Sequence, residues 1–258
     1  MIIFFSGTGN SRRCAHRLGQ LLDDTDIHEL TATELREPEK ACLDCADADS
    51  RVIWVFPTYS WGVPPVVARF IKAFSIGKNM AAATHFMVTT CGDDMAYTDR
   101  QWRKLLTARG LHAAEAYAVI MPNTYVSMKG FDVDPTEVSR KKVADSENRL
   151  KEIAQSIENH GDSMLIRGAF PWVKSAVIYP WFKRYAMSPK PFHALDSCVS
   201  CSLCAKSCPM DNIEMVDGRP AWGDDCAMCL RCYHICPQHA VRYGKSTDGK
   251  GQWICKDL

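Results

Sequence analysis

Short uninterrupted apolar runs, Met1–Phe5, Val52–Phe56, His85–Thr90 and Tyr117–Met121, alternate with longer segments whose apolar residues recur every three or four positions. The first kind fits a strand buried on both faces, the second a helix with one apolar face. Cys14, Leu18, Leu21 and Leu22 share one helical face, and Pro64 and Pro65 open a second helix on which Val67, Phe70, Ile71 and Phe74 repeat. Asp134-Pro135-Thr136-Glu137 reads as a capping Asp, a first-turn proline and a reciprocal Glu, ahead of a last helix that Gly161 closes. Strands and helices alternating in this way predict an α/β fold, with crossover units wound around a parallel sheet.

The alternation stops after residue 161. Residues 162–192 mix aromatic and basic side chains, from Pro171-Trp172-Val173-Lys174 to Trp181-Phe182-Lys183-Arg184-Tyr185. A helix packed across a domain junction is favoured for this connector over a segment lying at a membrane interface. In residues 193–245 the pattern is set by cysteine. Cys198-x2-Cys201-x2-Cys204-x3-Cys208-Pro209 repeats as Cys226-x2-Cys229-x2-Cys232-x3-Cys236-Pro237, offset by 28 positions. This is the spacing of a bacterial ferredoxin, in which three cysteines wrap one cubane and the fourth ligates the cluster of the other run. Two 4Fe–4S clusters are expected, one on Cys198, Cys201, Cys204 and Cys236, the other on Cys226, Cys229, Cys232 and Cys208. Zinc is the competing occupant of paired Cys-x2-Cys elements, but it leaves the third cysteine of each triplet and the repeated Cys-Pro without a role. Between the runs, Ile213–Val216 and Pro220–Trp222 flank Asp217-Gly218, a hairpin signal. Residues 246–258 read as a polar tail containing Cys255.

Composition narrows the partners. With 31 Lys and Arg against 30 Asp and Glu, the formal charge of the 258-residue chain is +1, which disfavours nucleic acid. Thirteen cysteines without a basic, apolar leader point to a reducing cytoplasm. The run Ser175–Phe182 is interrupted by Pro180 and is far below the roughly 18 residues that span a bilayer, so a soluble chain is expected and membrane contact is disfavoured. Cys42-x2-Cys45 does not open a helix after a strand, as a thioredoxin motif would, and reads as unpaired surface thiols; the histidines show no ligand spacing.

Three loops at predicted strand ends carry a second chemistry. Ser6-Gly7-Thr8-Gly9-Asn10-Ser11 leads from the first strand into a helix, and its glycines, hydroxyls and amide suit an anion. It has neither a Walker lysine nor the Gly-x-Gly-x-x-Gly of dinucleotide folds, which favours a monophosphate. Thr58-Tyr59-Ser60-Trp61-Gly62 and Cys91-Gly92-Asp93 follow two further strands.

Loops and cysteine runs in this order resemble the flavodoxin/ferredoxin fusion proteins over essentially the whole chain. The resemblance implies a flavodoxin-like doubly wound sheet of order 2-1-3-4-5 in residues 1–161, an α+β ferredoxin domain in 193–245, and FMN as a third cofactor. By that resemblance Ser6, Thr8, Asn10 and Ser11, with Gly7 and Gly9, hold the FMN phosphate, Thr58–Gly62 and Cys91–Asp93 line its ring, and Trp61 and Tyr97 stack on it. Arg12 and Arg13 after the phosphate loop depart from the flavodoxin pattern.

A flavin handles one or two electrons and a cubane one, so the implied function is electron transfer that couples single to paired steps, with a redox protein as donor or acceptor. The alternative is an FMN-dependent reductase of a small-molecule acceptor such as a quinone, nitro or unsaturated compound. The segment Pro122–Pro135, with Tyr125, Met128 and Phe131, either covers the ring or is a simple excursion before the last helix. Direction of flow and oligomeric state stay open.

Overall fold

The computed structural model describes residues 1–255. Strands β1 (Ile2–Phe4), β2 (Ile27–Glu29), β3 (Arg51–Pro57), β4 (Thr84–Cys91) and β5 (His112–Ile120) form one parallel sheet in the order β2-β1-β3-β4-β5. Side chains alternate across it. Val52, Trp54 and Phe56 of β3 enter one core while Ile53 and Val55 enter the other, and β1 divides Ile3 from Ile2 and Phe4 in the same way. Both faces are covered. α1 (Asn10–Leu21), α2 (Pro65–Ala73), α3 (Thr98–Thr107) and α4 (Thr136–Glu158) follow the strands. Cys14 and Leu18 of α1 and Leu150 and Ile153 of α4 pack on one side, whereas Val67 and Phe70 of α2 and Trp102 of α3 pack on the other. Each such side chain, fully buried, stabilises the fold by roughly 1.5–3 kcal/mol. The strand order is that of a flavodoxin-like sheet, whose ligands sit at the β1/β3 switch point.

Two predicted helix ends close differently. Asp134 does not cap α4; Pro135 occupies that position without a side-chain cap, and the Asp134 carboxylate instead accepts from Asn123 N at 2.8 Å and Lys142 Nζ at 2.7 Å. At the far end His160, at φ 51°, makes the left-handed turn expected of Gly161.

Beyond the sheet, Pro171–Val173, Lys174–Ile178 and Tyr179–Tyr185 run on as one helix, α5, with a π-helical middle. Next come β6 (Phe192–Ala194), α6 (Leu203–Lys206), β7 (Ile213–Val216), β8 (Arg219–Trp222), α7 (Arg231–Ile235) and β9 (Val241–Tyr243). β6 and β9 pair antiparallel, tying the two ends of this module together. β7 and β8 form the hairpin, turning on Asp217 at φ 48° and Gly218 at φ 77°, the two left-handed residues that a tight turn between twisted strands requires.

The small module is docked, not tethered. Val126, from the 122–135 loop, is fully buried in the same core as Phe192, Met228 and Tyr233. Lys250 Nζ donates to the carbonyls of Val126 and Met128 at 2.7 and 2.5 Å, and His234 Nε2 donates to Thr124 O at 2.8 Å. The loop is thus no simple excursion; it is the socket for the cysteine module. The tail is not a free polar end either. It returns to the sheet, where Cys255 N donates to Thr8 O at 2.9 Å and the Cys255 side chain joins the core beside α1; residues 256–258 of the predicted tail lie outside the described residues.

Candidate redox site

The loop after β1 owes its course to Gly9, which caps α1 at φ 95°. Ser6, Thr8, Asn10 and Ser11 are all buried. They wall a cleft at the β1/β3 switch point together with Thr58, Tyr59, Ser60, Cys91, Gly92, Thr124, Tyr125 and Phe182. Within that wall the side chains are not equivalent. Asn10 Nδ2 donates to Pro122 O at 2.9 Å, Trp253 Nε1 donates to Asn10 Oδ1 at 3.4 Å, and Ser11 Oγ pairs with Thr90 Oγ1 at 2.8 Å. Ser6 Oγ and the Tyr59 hydroxyl have no partner, although both atoms are buried. A buried hydroxyl without a partner costs about 1–3 kcal/mol, so two around one cleft indicate a polar ligand there.

Some expected site residues lie elsewhere. Trp61 and Tyr97 are not in the cleft wall. They sit at the seam with α5, where Lys174 Nζ lies 5.0 Å from the Trp61 ring and the Arg100 and Arg167 guanidiniums lie 3.8 and 5.0 Å from the Tyr97 ring. Ser175 Oγ donates to Trp61 O at 2.9 Å, and Tyr97 N donates to Ser175 Oγ at 3.0 Å. Gly62 is likewise outside the wall, since the Tyr179 ring occupies the space a Cβ would need. Gly9 faces the Cys255 backbone, and Asp93 does not reach the cleft. Arg12 turns away to Glu29, at 2.6 Å. The aromatic side chains that do line the cleft are Tyr59, Tyr125 and Phe182. Phe182 had no sequence signal for this role, because it comes from a helix 120 residues and more downstream of the Tyr59 loop. Cys91 lines the cleft, its thiol pushed up to about 12 chiefly by burial. Cys42 is exposed but Cys45 is buried, donating to Asp47 O at 3.3 Å, so the two are not a surface pair.

The cysteine runs fold as copies of each other. Ser200 and Ser202 (φ 54° and 59°) in the first match Met228 and Leu230 (φ 52° and 60°) in the second, and Asp211 (φ 45°) matches His239 (φ 50°). Left-handed backbone at non-glycine residues costs on the order of 1–2 kcal/mol each, so six such residues at repeated places mark loops shaped around something. Backbone N–H groups also point at sulfur: Asn212 N donates to Cys208 Sγ at 3.5 Å and its counterpart Ala240 N to Cys236 Sγ at 3.3 Å.

Two cavities result. Cys198, Cys201, Cys204 and Cys236 line one; Cys208, Cys226, Cys229 and Cys232 line the other. In each, three cysteines of one run meet the fourth of the other. Among the described residues no three His, Cys, Asp or Glu side chains close on a point as ligands of a single ion do. Zinc holds its sulfurs at about 2.3 Å, so a single ion would need each set of four thiols to close on one point. The second set is the drier. Burial pushes the Cys226 and Cys229 thiols up to about 11 and about 12, and neighbouring cysteines push further; Cys201 of the first set is exposed.

Cys229 belongs to two walls, that of the second four-cysteine cavity and that of the switch-point cleft. The approach depends on Gly7, because a Cβ there would stand 2.7 Å from Cys229 Cβ. Arg231 Nη1 donates to Gly7 O at 3.1 Å and holds the contact. Burial, then the nearby Cys229 and Cys226, push the Tyr59 hydroxyl well up.

Fold and paired cysteine sets together define an iron–sulfur protein built on a flavodoxin-like sheet. Its C-terminal part is of a particular kind: residues 197–241 match the family described as the 4Fe-4S dicluster domain. No curated protein matches the chain. Among solved structures it is similar to a flavodoxin of Streptococcus pneumonia TIGR4, with 16% identity over 62% of this chain and 97% of that one and a TM-score of 0.36. It is also similar to the Trp repressor binding protein of Bacillus subtilis, with 11% identity over 58% of this chain and 98% of that one and a TM-score of 0.33.

Proposed function

We propose that the chain carries two 4Fe–4S clusters and one FMN as a single electron-transfer unit, exchanging electrons with a redox partner protein. The observation that carries this is Cys229, which stands in the wall of a four-thiol cavity and of the switch-point cleft at once. Bound FMN would supply a carrier of one or two electrons beside one-electron clusters. Ser6 and Thr8, whose hydroxyls line the cleft at the loop after β1, would meet the phosphate end, and Tyr59, Tyr125 and Phe182 would meet the ring. Cys198, Cys201, Cys204 and Cys236 would hold the outer cluster, and Cys208, Cys226, Cys229 and Cys232 the inner one. The apolar cover of the inner set, with Met210, Ala227 and Leu230 buried around it, would exclude water from the path toward the cleft. Closure of the small module by β6 and β9 supports reading residues 1–161 and 193–245 as the two functional domains.

The test is rapid-mixing reduction of the anaerobic, cofactor-loaded chain by a low-potential one-electron donor. Flavin bleaching should follow cluster bleaching, and Cys229→Ser should slow the flavin phase at least tenfold (on the order of 1.4 kcal/mol in barrier) while Cys201→Ser leaves flavin content unchanged. Flavin reduced at the same rate in Cys229→Ser would sink the wire. Steady turnover of a quinone or nitroaromatic would assign the chain to the small-molecule reductases instead.

A further inference from the structure

Helix α5 is amphipathic in the wrong sense for a helix that only fills a domain junction. Tyr179 and Phe182 point inward, Tyr179 donating to Val63 O and Phe182 lining the cleft. The opposite face is the stripe Val173, Ala176, Val177, Pro180, Trp181 and Tyr185, spaced by threes and fours and all exposed. Val177, Trp181 and Tyr185 are 52%, 49% and 67% exposed, and at the start of the helix Phe170 and Trp172 are 78% and 63% exposed. Phe170 is held outward by a left-handed backbone, φ 49°, which a bulky residue rarely adopts.

Charge says what this face meets. From residue 163 to residue 195 there is no Asp or Glu, whereas Arg167, Lys174, Lys183, Arg184 and Lys190 fall in that span. Arg167 and Lys174 pair inward with Asp99 and Asp94, while Lys183, Arg184 and Lys190 are exposed. Exposed Trp, Tyr and Phe rimmed by cations, on a segment without acids, match the apolar-to-headgroup boundary of an anionic bilayer better than a protein surface, which would offer acids but no depth for the rings. At fifteen residues α5 is too short to cross, and among the described residues no helix is long and apolar enough to do so.

We propose that α5 is a monotopic membrane anchor that lays the outward face from Phe170 to Tyr185 into the headgroup layer of an anionic bilayer. The same helix presents Phe182 to the cleft from its inner side, so docking would seat the switch-point cleft against the membrane. The anchor stands on exposure and charge alone and does not depend on which cofactors are bound.

The test is flotation of the full, cofactor-loaded chain with phosphatidylcholine vesicles, with and without phosphatidylglycerol. Binding to the anionic vesicles is expected, weakened by salt and accompanied by a blue shift of tryptophan emission. W172S/W181S/Y185S, all outside the cores, should lose at least about tenfold in partitioning. K183Q/R184Q should lose about fivefold per base, with cofactor content and melting temperature unchanged in both variants. No binding to either vesicle, or binding that the aromatic triple variant does not weaken, would overturn the anchor. So would a concentration-dependent dimer, broken by that variant, in a chain that ignores lipid; the face would then be a protein interface. Equal binding to neutral vesicles would overturn the role of the bases.

Discussion

His85 is wholly buried between the sheet and its neighbours, accepting from Trp54 Nε1 at Nδ1 (3.0 Å) and donating from Nε2 to Met80 O (3.0 Å). The bond from Trp54 requires the neutral ring, since a protonated Nδ1 cannot accept, and burial holds its pKa below the ordinary 6.5. Because the folded value is the lower one, the unfolded chain takes up the proton first. The stabilisation is therefore complete above pH about 6.5 and is lost as pH falls from there toward the folded value. Thermal melts at pH 7 and pH 5 should show a larger drop for the native chain than for His85→Gln; parallel drops would contradict this. Tyr59 makes a second prediction at this scale. Its hydroxyl is buried without a partner, so Tyr59→Phe should not lower the melting temperature of the cofactor-free chain. With cofactors bound, loss of a donor beside the Cys229 and Cys226 sulfurs should make the inner cluster harder to reduce, read as a more negative midpoint in a potentiometric titration. A lower melting temperature of the free chain, or an unmoved midpoint, would show that the hydroxyl has another role.

The 122–135 loop does the work of an element without being one. Val126 is buried among residues of the cysteine module, so Val126→Asp places an unpaired carboxylate in the shared core, at a cost of several kcal/mol. Denaturant unfolding should then separate into two transitions. By contrast Asp225→Ala, which breaks the half-exposed pair with Arg69 across the same junction and leaves the Arg69 bonds to Leu35 O in place, should cost less than about 1 kcal/mol. A single transition in Val126→Asp would place the docking energy elsewhere. The elements legible in the sequence are those whose pattern is local. β1, β3, β4 and β5 stand out because both their faces are buried, and the β7/β8 hairpin because Asp217-Gly218 can adopt two left-handed residues. β2 was illegible: Ile-His-Glu, half exposed at the sheet edge, has no apolar run. Asp134 looked like a cap, but a carboxylate takes the strongest donor in reach, and Lys142 one turn on from the first supplies it. α5 was legible as a helix but not in its facing, since an apolar stripe does not say whether anything covers it.

Across the whole molecule, the eight cysteines and their division into two sets were readable because spacing along the chain fixes which thiols can converge. The cleft was readable only in part. Ser6, Thr8, Tyr59, Ser60 and Cys91 line it as their loops suggested, while Trp61 and Tyr97 sit at α5 through Lys174 and Ser175, which lie far away in sequence. Nor does any sequence signal place Cys229 against Gly7; that contact exists only because the loop socket and the returning tail set the small module on the loop after β1. Cys201 is exposed, whereas the partly buried Cys229 reaches the cleft wall, and on the proposed function this would make electron transfer between the modules intramolecular. Quantifying iron, sulfide, zinc and flavin in the anaerobically purified full chain tests this account most directly. It predicts about eight iron, eight sulfide and one FMN per chain, with no zinc. Zinc in place of iron, or full clusters with no flavin retained, would contradict it.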